Sequence, residues 1–294
     1  MTIEAPDVTA TISRLFVYPI KSCAGVEVHE AILTETGLEF DRAWMVVDEE
    51  GEFVSQRELP RMALIQPKIR HSDMVLRAPG MLALHIELNA VEEPALSRIW
   101  DDEVKAYDMG AVAAQWFSDF LGQKLRLVRF DPDHKRLSDS KWTGDVEALN
   151  QFTDGFAILV ASQASLDGLN TRLEAAGHKV VTMERFRPNI VLSGVQAHDE
   201  DRLDVMLMEG QAEQMQLKAV KPCSRCPIPN IDPVTAISTP EVNDILQTYR
   251  KNDVVGGAVT FGMNVIVLAG VEQTLRVGQS VTADWRFDRS ASGA

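Results

Sequence analysis

The chain alternates apolar and polar positions over short stretches, and this pattern is interrupted by a few stretches of longer period. Residues 12–18 are rich in strand formers and end at Pro19. Residues 26–32 alternate in the period of a half-buried strand, and Gly37 breaks the pattern. Residues 43–47 predict another strand, and Asp48-Glu49-Glu50-Gly51 predicts a turn into residues 52–56, making a hairpin. Further strands are predicted at 63–69, 74–77, 82–88 and 103–107. Short strands at regular intervals point to a barrel or sandwich. From Ala111 the period lengthens: Val112, Trp116, Phe117, Phe120 and Leu121 form a helical stripe closed by Gly122. A strand at 125–130 follows.

Polar residues from 131 to about 150 read as a linker and place a domain boundary after residue 130. Beyond it, the apolar run 156–161 leads to Ser162, the N-cap of a helix carrying Leu166, Leu169 and Leu173 and ended by Gly177. Strands are predicted at 190–192, 204–208 and 213–220. Thr239 caps a second helix with Pro240 at its first position and Val242, Ile245, Leu246 and Tyr249 as its stripe. Phe261-Gly262 opens a strand at 264–268, and 277–285 closes the sheet. Residues 1–10 and 286–294 read as flexible tails.

Composition narrows the class. A length of 294 residues allows about two domains. No apolar run approaches the ~20 residues needed to span a bilayer, so no membrane association is expected. The acidic N-terminus lacks the regions of a signal peptide, which implies a cytoplasmic location where thiols stay reduced. A formal net charge of −14 opposes a phosphate-backbone binder, so no nucleic-acid partner is expected. In so acidic a chain, basic residues that converge need a reason.

The most informative stretch is Lys221-Pro222-Cys223-Ser224-Arg225-Cys226-Pro227, continuing to Pro233. It holds two of the three cysteines, and its prolines predict an ordered loop rather than a helix or central strand. Thiolates are soft metal ligands. A closed zinc site takes four ligands, yet only Cys23 remains, and none of the six histidines (29, 71, 85, 134, 178, 198) stands at zinc-finger spacing. A thioredoxin-like pair belongs at a helix N-terminus in a βαβ unit, which this context opposes. What remains is one cysteine ligating a metal whose other ligands come from a cofactor. Two buried thiols would be the plainer reading.

Other candidates each have a plain alternative. Lys21-Ser22-Cys23-Ala24-Gly25 can cradle an anion or form a solvated turn. Arg42 suits a surface ion pair. Arg187 and Asn189 bracket Pro188 before a buried strand, where a structural ion pair also fits. Asp154 before Gly155 has turn chemistry.

Together these residues resemble a known family. Tyr18-Pro19-Ile20-Lys21-Ser22-Cys23, Asp41-Arg42 and Gln56-Arg57-Glu58-Leu59-Pro60-Arg61 resemble the N-terminal β-barrel domain that precedes MOSC domains. Phe186-Arg187-Pro188-Asn189-Ile190-Val191, Cys223-Ser224-Arg225-Cys226 and Phe261-Gly262 are similar to the MOSC domain itself. The likeness covers residues 11 to 285 and extends to the mitochondrial amidoxime reducing component and its bacterial homologues. It implies an α+β, mainly β fold: an N-terminal β-barrel domain over 11–130, then a MOSC β-barrel domain over 131–285 with a few flanking helices.

It also implies a molybdenum cofactor (Mo-molybdopterin) enzyme that reduces N-hydroxylated bases, amidoximes and hydroxylamines. In that family the second cysteine of the motif, here Cys226, ligates molybdenum. Lys21, Ser22, Arg42, Arg187, Asn189, Ser224 and Arg225 match the positions that hold the pterin and its phosphate. Asp154 is expected at the pocket edge as a catalytic proton relay. No cysteine follows Cys226, so electrons are expected from a separate ferredoxin- or cytochrome-type protein with its reductase. Pro229 and Asn230 stand where many relatives carry threonines, so no hydroxyl contact is carried over. The alternative is a cofactor carrier or sulfur-delivery protein, similar to the C-terminal part of molybdenum cofactor sulfurases, with Cys223 and Cys226 as persulfide acceptors. A zinc-stabilised binding module is a third reading.

Overall fold

The computed structural model describes residues 5–90 and 93–286. Val8, Ala10 and Ile12 turn inward from the first strand, and the alternation resumes one position out of step at Leu15. The break is a register shift between Ile12 and Arg14, the signature of a bulge that bends a strand around a barrel. That strand, Val8–Val17 (β1), joins six others: Ile158–Ser162 (β2), Ile190–Ser193 (β3), Leu203–Met208 (β4), Met215–Ser224 (β5), Ala258–Ala269 (β6) and Ser280–Trp285 (β7). They run in the order β2-β3-β1-β7-β4-β5-β6, and β6 pairs back onto β2, so the sheet closes. Only β2 and β3 are parallel neighbours in this ring. Ile12, Leu15, Val160, Leu192, Met206, Leu217 and Val265 fill the interior.

Residues 44–130 build a second unit. Trp44–Val47, Arg126–Phe130, Asp102–Asp108 and Pro94–Ile99 form a four-stranded sheet in that order. A three-stranded meander, Gln66–Ile69, Asp73–Arg77 and Leu84–Glu87, lies beside it. Helix Gly110–Leu121 (α1) buries Trp116, Phe117 and Phe120 with Trp44, Met62 and Leu76. Gly122 ends it at φ 80°. A short helix, Ser140–Thr143 (α2), sits inside the expected linker, between the paired segments Arg136–Leu137 and Leu149–Asn150. Gln163–Ala175 (α3) starts at Ser162, whose hydroxyl accepts from Ser165 N (3.1 Å), as its N-cap role requires. It packs with Glu241–Gln247 (α4) around Phe186 and Phe261 on the outside of the barrel. Among the described residues no helix is long and apolar enough to cross a membrane.

The mainly β class is as expected, with local corrections. Residues 60–64 form a 3-10 turn opened by Pro60 where a strand was expected from residue 63. The strand Pro94–Ile99 was missed. The hairpin at 52–56 reduces to one bridge, Val47 to Phe53. Val8 and its neighbours, expected in a tail, pair with β7. Arg286 still donates its backbone N–H to Arg202 O (2.7 Å); the rest of the expected C-terminal tail lies outside the described residues.

The largest correction concerns the cysteine stretch. Lys221 to Ser224 are not a loop but the end of β5, paired with β6. The register slips between Ala219 and Lys221 and again between Pro222 and Ser224, and such irregularities are where a strand tolerates proline. Gly262, opposite on β6, holds φ 77°, and a Cβ there would meet Val160 O at 2.7 Å.

The two units are joined by polar contacts under the site. Asp41, with a fully buried side chain, accepts from Tyr18 N (2.8 Å) and Arg42 Nη1 (2.6 Å). Arg42 donates onward to Asn189 Oδ1 and to Arg187 O, both 3.1 Å. Asn189 also accepts from Leu159 N (3.1 Å) and donates to Phe16 O (3.2 Å). Removing one partner of such a buried pair strands the other charge. Asp41→Ala is therefore expected to lower the unfolding free energy by roughly 3–5 kcal/mol, with Asp41→Asn intermediate, as read by urea denaturation.

A second buried polar group gives a pH signature. His198 sits at φ 68° against Tyr249 and Phe261, and neither ring nitrogen has a partner among the described residues. Burial, then the charges of Arg250 and Arg172, push its pKa down to about 4. Glu200 and Asp201 nearby are shifted up, chiefly by burial. The unfolded chain thus binds a proton at this histidine that the fold refuses between pH 6.5 and about 4, so the histidine's own contribution to stability falls as pH drops through that window, while the two raised carboxyls contribute in the opposite direction. In His198→Asn, which tolerates the left-handed backbone, the loss of urea midpoint between pH 7 and pH 4.5 should be visibly smaller.

Candidate functional site

A cavity of about 220 Å³ opens where the two units meet, lined by residues from both. All nine residues singled out from the sequence line it: Lys21, Ser22, Arg42, Asp154, Arg187, Asn189, Ser224, Arg225 and Cys226. Arg57 and Lys221 join them, giving six cations against one carboxylate among the lining residues. Both additions stood inside stretches already picked out, Arg57 after Gln56 and Lys221 two positions before Cys223. Their role was illegible because a facing partner, not a motif, defines it.

Six like charges converge because each rests on an aromatic face. The Arg42 and Arg187 guanidinium carbons lie 4.4 and 4.3 Å from the Tyr18 ring centroid. Arg225 lies 5.6 Å from Phe186, and Lys21 5.3 Å from Phe53. Arg57 approaches Phe53 (5.8 Å) and Trp100 (4.9 Å), while Lys221 approaches Trp142 (5.2 Å) and Phe156 (5.7 Å). Such contacts contribute about 0.5–2 kcal/mol each, more where water is excluded. Gly25 belongs to this packing rather than to an anion cradle: a Cβ there would meet Tyr18 Cε1 at 2.4 Å.

Backbone strain marks the same place. Ser22, Arg42 and Arg187 hold φ of 67°, 50° and 58°, a left-handed region that costs side-chain-bearing residues on the order of 1–3 kcal/mol. The surrounding contacts enforce it. Ser22 O accepts from Gln56 Nε2 (2.6 Å), and Arg187 Nη1 donates to Cys23 O (2.6 Å).

The charges are uneven in how they are satisfied. Lys21, almost fully buried, donates to Phe152 O (2.9 Å) and Asp154 Oδ1 (2.5 Å). Enclosure in the cleft opposes ionisation of Asp154, but the Lys21 ammonium, then Arg57 and Arg42, outweigh it and hold the carboxyl well below the usual range. That direction suits a side chain still 63 % open to water. Burial lowers Lys21, and Asp154 opposes the shift. Arg187 is pushed down to about 10 by burial and then by Arg42's like charge, so it stays cationic at neutral pH. Its Nη2, and Nε of Arg225, are buried with no acceptor among the described residues. Buried donors without partners are rare, and two at one cationic wall fit an oxyanion.

The sulfurs divide by environment. Cys23 is fully buried and its thiol is pushed up to about 12 by burial, which leaves it inert. Cys223 and Cys226 line the cavity. Arg225 Nη1 lies 3.1 Å from Cys223 Sγ, and Arg57 Nη1 lies 3.8 Å from Cys226 Sγ. Among the described residues no three His, Cys, Asp or Glu side chains cluster to hold a metal, so a metal here would take most of its ligands from elsewhere. Asn189 and Arg42 line the cavity, yet their hydrogen-bonding groups are largely spent on the joint.

Comparison with known proteins agrees with this two-part construction. Residues 9–124 match the MOSC N-terminal beta barrel domain and residues 148–282 match the MOSC domain. Mitochondrial amidoxime reducing component 2 of Rattus norvegicus is 37 % identical over 255 residues, covering 83 % of this chain and 73 % of that protein. Mitochondrial amidoxime-reducing component 1 of Xenopus laevis is 33 % identical over 299 residues, covering 95 % and 84 %. Molybdenum cofactor sulfurase of Homo sapiens is 30 % identical over 269 residues, covering 86 % of this chain but 29 % of that protein. A cationic cavity at the meeting of two matched halves, with likeness running through both, means that the chain belongs to the family of MOSC-domain proteins that includes the mitochondrial amidoxime reducing components.

Proposed function

We propose that this protein holds the molybdenum cofactor in the cavity between its units and reduces N-hydroxylated compounds to amines with electrons from a separate redox protein. One observation carries the reading: six cations, two of them with buried unpartnered N–H groups, surround the same space as the Cys226 sulfur. The donor set fits a phosphate-bearing pterin, because phosphate oxygens take charge-assisted hydrogen bonds from guanidinium groups. Arg187 and Arg225 would hold the phosphate, with Ser22 and Ser224 beside it. Arg42 and Asn189 would act one step removed, fixing Arg187 through its backbone carbonyl and the strand that carries it. Cys226 would supply the protein's ligand to the metal, and Arg57 would donate to its sulfur. The bound cofactor supplies two-electron chemistry.

Cleaving the N–O bond of a hydroxylamine or amidoxime takes two electrons and two protons and gives an amine or amidine plus water. The protein's part is to deliver the protons. Asp154, held ionised, is a poor reservoir at neutral pH. The Lys21 ammonium at 2.5 Å is the better donor, since burial lowers its proton affinity while Asp154 keeps it charged. The sequence-based role of Asp154 as relay becomes, in this reading, a return path that restores the proton to Lys21 from solvent.

The sulfur-delivery reading is supported by the sulfurase likeness and by Cys223 standing in the same cavity with a guanidinium 3.1 Å from its sulfur. The two readings separate by experiment. Protein made in a cofactor-competent host should contain molybdenum and pterin and should reduce benzamidoxime with a chemical reductant, whereas a carrier shows no turnover. Cys226→Ala should lose more activity than the roughly 10–100-fold that removing an outer-shell partner costs, while Cys223→Ala keeps both metal and turnover. A wild type that holds molybdenum and pterin but gives no turnover would favour sulfur delivery, and bound zinc without pterin would overturn both readings.

A further inference from the structure

Five of the six cavity cations have an assigned partner. Lys21 binds Asp154, Arg42 binds Asp41, Arg57 reaches Cys226, Arg187 donates to Cys23 O, and Arg225 reaches Cys223 and Phe186 O. Lys221 differs. Its ammonium has no acceptor among the described residues and is instead held between the rings of Trp142 and Phe156. None of the other five shares those rings: Arg42 and Arg187 meet at Tyr18, Arg225 at Phe186, and Lys21 and Arg57 at Phe53. The cavity therefore has a cationic station separate from the wall of unpartnered guanidinium donors.

Its surroundings suit recognition of a ligand. Lys221 stands opposite Asn264 in the β5–β6 pairing, and Asn264 lines the same cavity, as does Phe156. Trp142, carried by α2 inside the segment that reads as a linker in sequence, backs Lys221 from outside the cavity lining and also meets Lys141 (5.4 Å). A cation beside an aromatic ring and an amide in the cavity wall matches a planar organic molecule that carries a negative group: Phe156 offers stacking area, the Lys221 ammonium offers charge, and the Asn264 amide offers hydrogen bonds.

We propose that Lys221 is a specificity-determining residue that recognises an anionic substituent, carboxylate or phosphate, on the N-hydroxylated substrate. This rests on the reductase reading above, and the physiological substrate class is then an anionic N-hydroxylated compound rather than a neutral one. The partition of cations supports it. The phosphate of the cofactor is accounted for by Arg187 and Arg225, which leaves Lys221 a charge that a neutral substrate would not use.

The test compares benzamidoxime with 4-carboxybenzamidoxime on the molybdenum-loaded protein, using a chemical reductant, for the wild type, Lys221→Met and Lys221→Arg. The wild type should prefer the carboxylate. Lys221→Met should raise KM for the carboxylated substrate by roughly 10–100-fold, the range expected for losing a hydrogen bond to a charged group. KM for the neutral substrate should stay within about twofold, since it never used that bond. Lys221→Arg should restore part of the preference. Equal effects on both substrates, or a molybdenum content that falls in Lys221→Met, would reassign the residue to the fold or to the cofactor and overturn the proposal. Should the wild type reduce neither compound, the reductase reading fails separately. Binding of 4-carboxybenzamidine against benzamidine, followed by tryptophan fluorescence, then still decides whether Lys221 selects the anionic ligand.

Discussion

Mutual repulsion of positive charge is the constraint this structure has to satisfy. A chain with a formal net charge of −14 gathers six cations around one small cavity. Left to themselves they would spread into solvent, because desolvating like charges together is costly. Aromatic rings hold them without neutralising them. Tyr18 serves two guanidinium groups, and its own environment is so enclosed that burial drives its hydroxyl well above the usual range. Carboxylates are used sparingly, at Asp41 below the site and Asp154 within it. The result is a site with net positive charge and unpartnered donors, a setting that suits an anion.

That arrangement explains why the site lies between two units. No single hairpin can present two lysines and four arginines from distant segments and two sulfurs to one point. The barrel contributes Arg187 from the turn before β3, Lys221 and Cys223 from the end of β5, and Arg225 and Cys226 just after it. The other unit contributes Lys21, Arg42 and Arg57 from loops around its sheet. Arg42 carries the joint itself, since one guanidinium binds Asp41 on its own side and Asn189 and Arg187 O across the boundary. The positive φ values at Ser22, Arg42 and Arg187 show how tightly that geometry is enforced. Strain at such positions persists only where the neighbourhood over-determines it.

The slipped register near the end of β5 has a similar logic. A regular strand would send Lys221 and Cys223 to one face and leave Pro222 without a ladder partner. The slips at Ala219/Lys221 and Pro222/Ser224 let a proline sit in a barrel strand and turn the residues after it into the cavity. Gly262 on β6 answers this distortion, since its φ of 77° and its approach to Val160 O exclude any side chain.

Local physics was readable from the sequence. Ser162 as an N-cap, Gly122 as a helix stop, the stripe Trp116, Phe117, Phe120 and the alternating strands all follow from periodicities that a few neighbouring residues determine. The family motifs brought eight of the nine expected residues to one cavity, because a motif records a site whose geometry has already been solved elsewhere, and Asp154 was placed there from its own turn chemistry and charge. Three things needed the tertiary structure. Pairing of β1 with both β3 and β7, from the middle and the end of the chain, depends on closure of the barrel. The strand character of Lys221 to Ser224 depends on a neighbour, β6, that tolerates slips. The distinct position of Lys221 depends on rings from α2 and from the turn before β2. Each is a contact between segments far apart in the chain, and no local pattern of apolar and polar residues encodes such a contact.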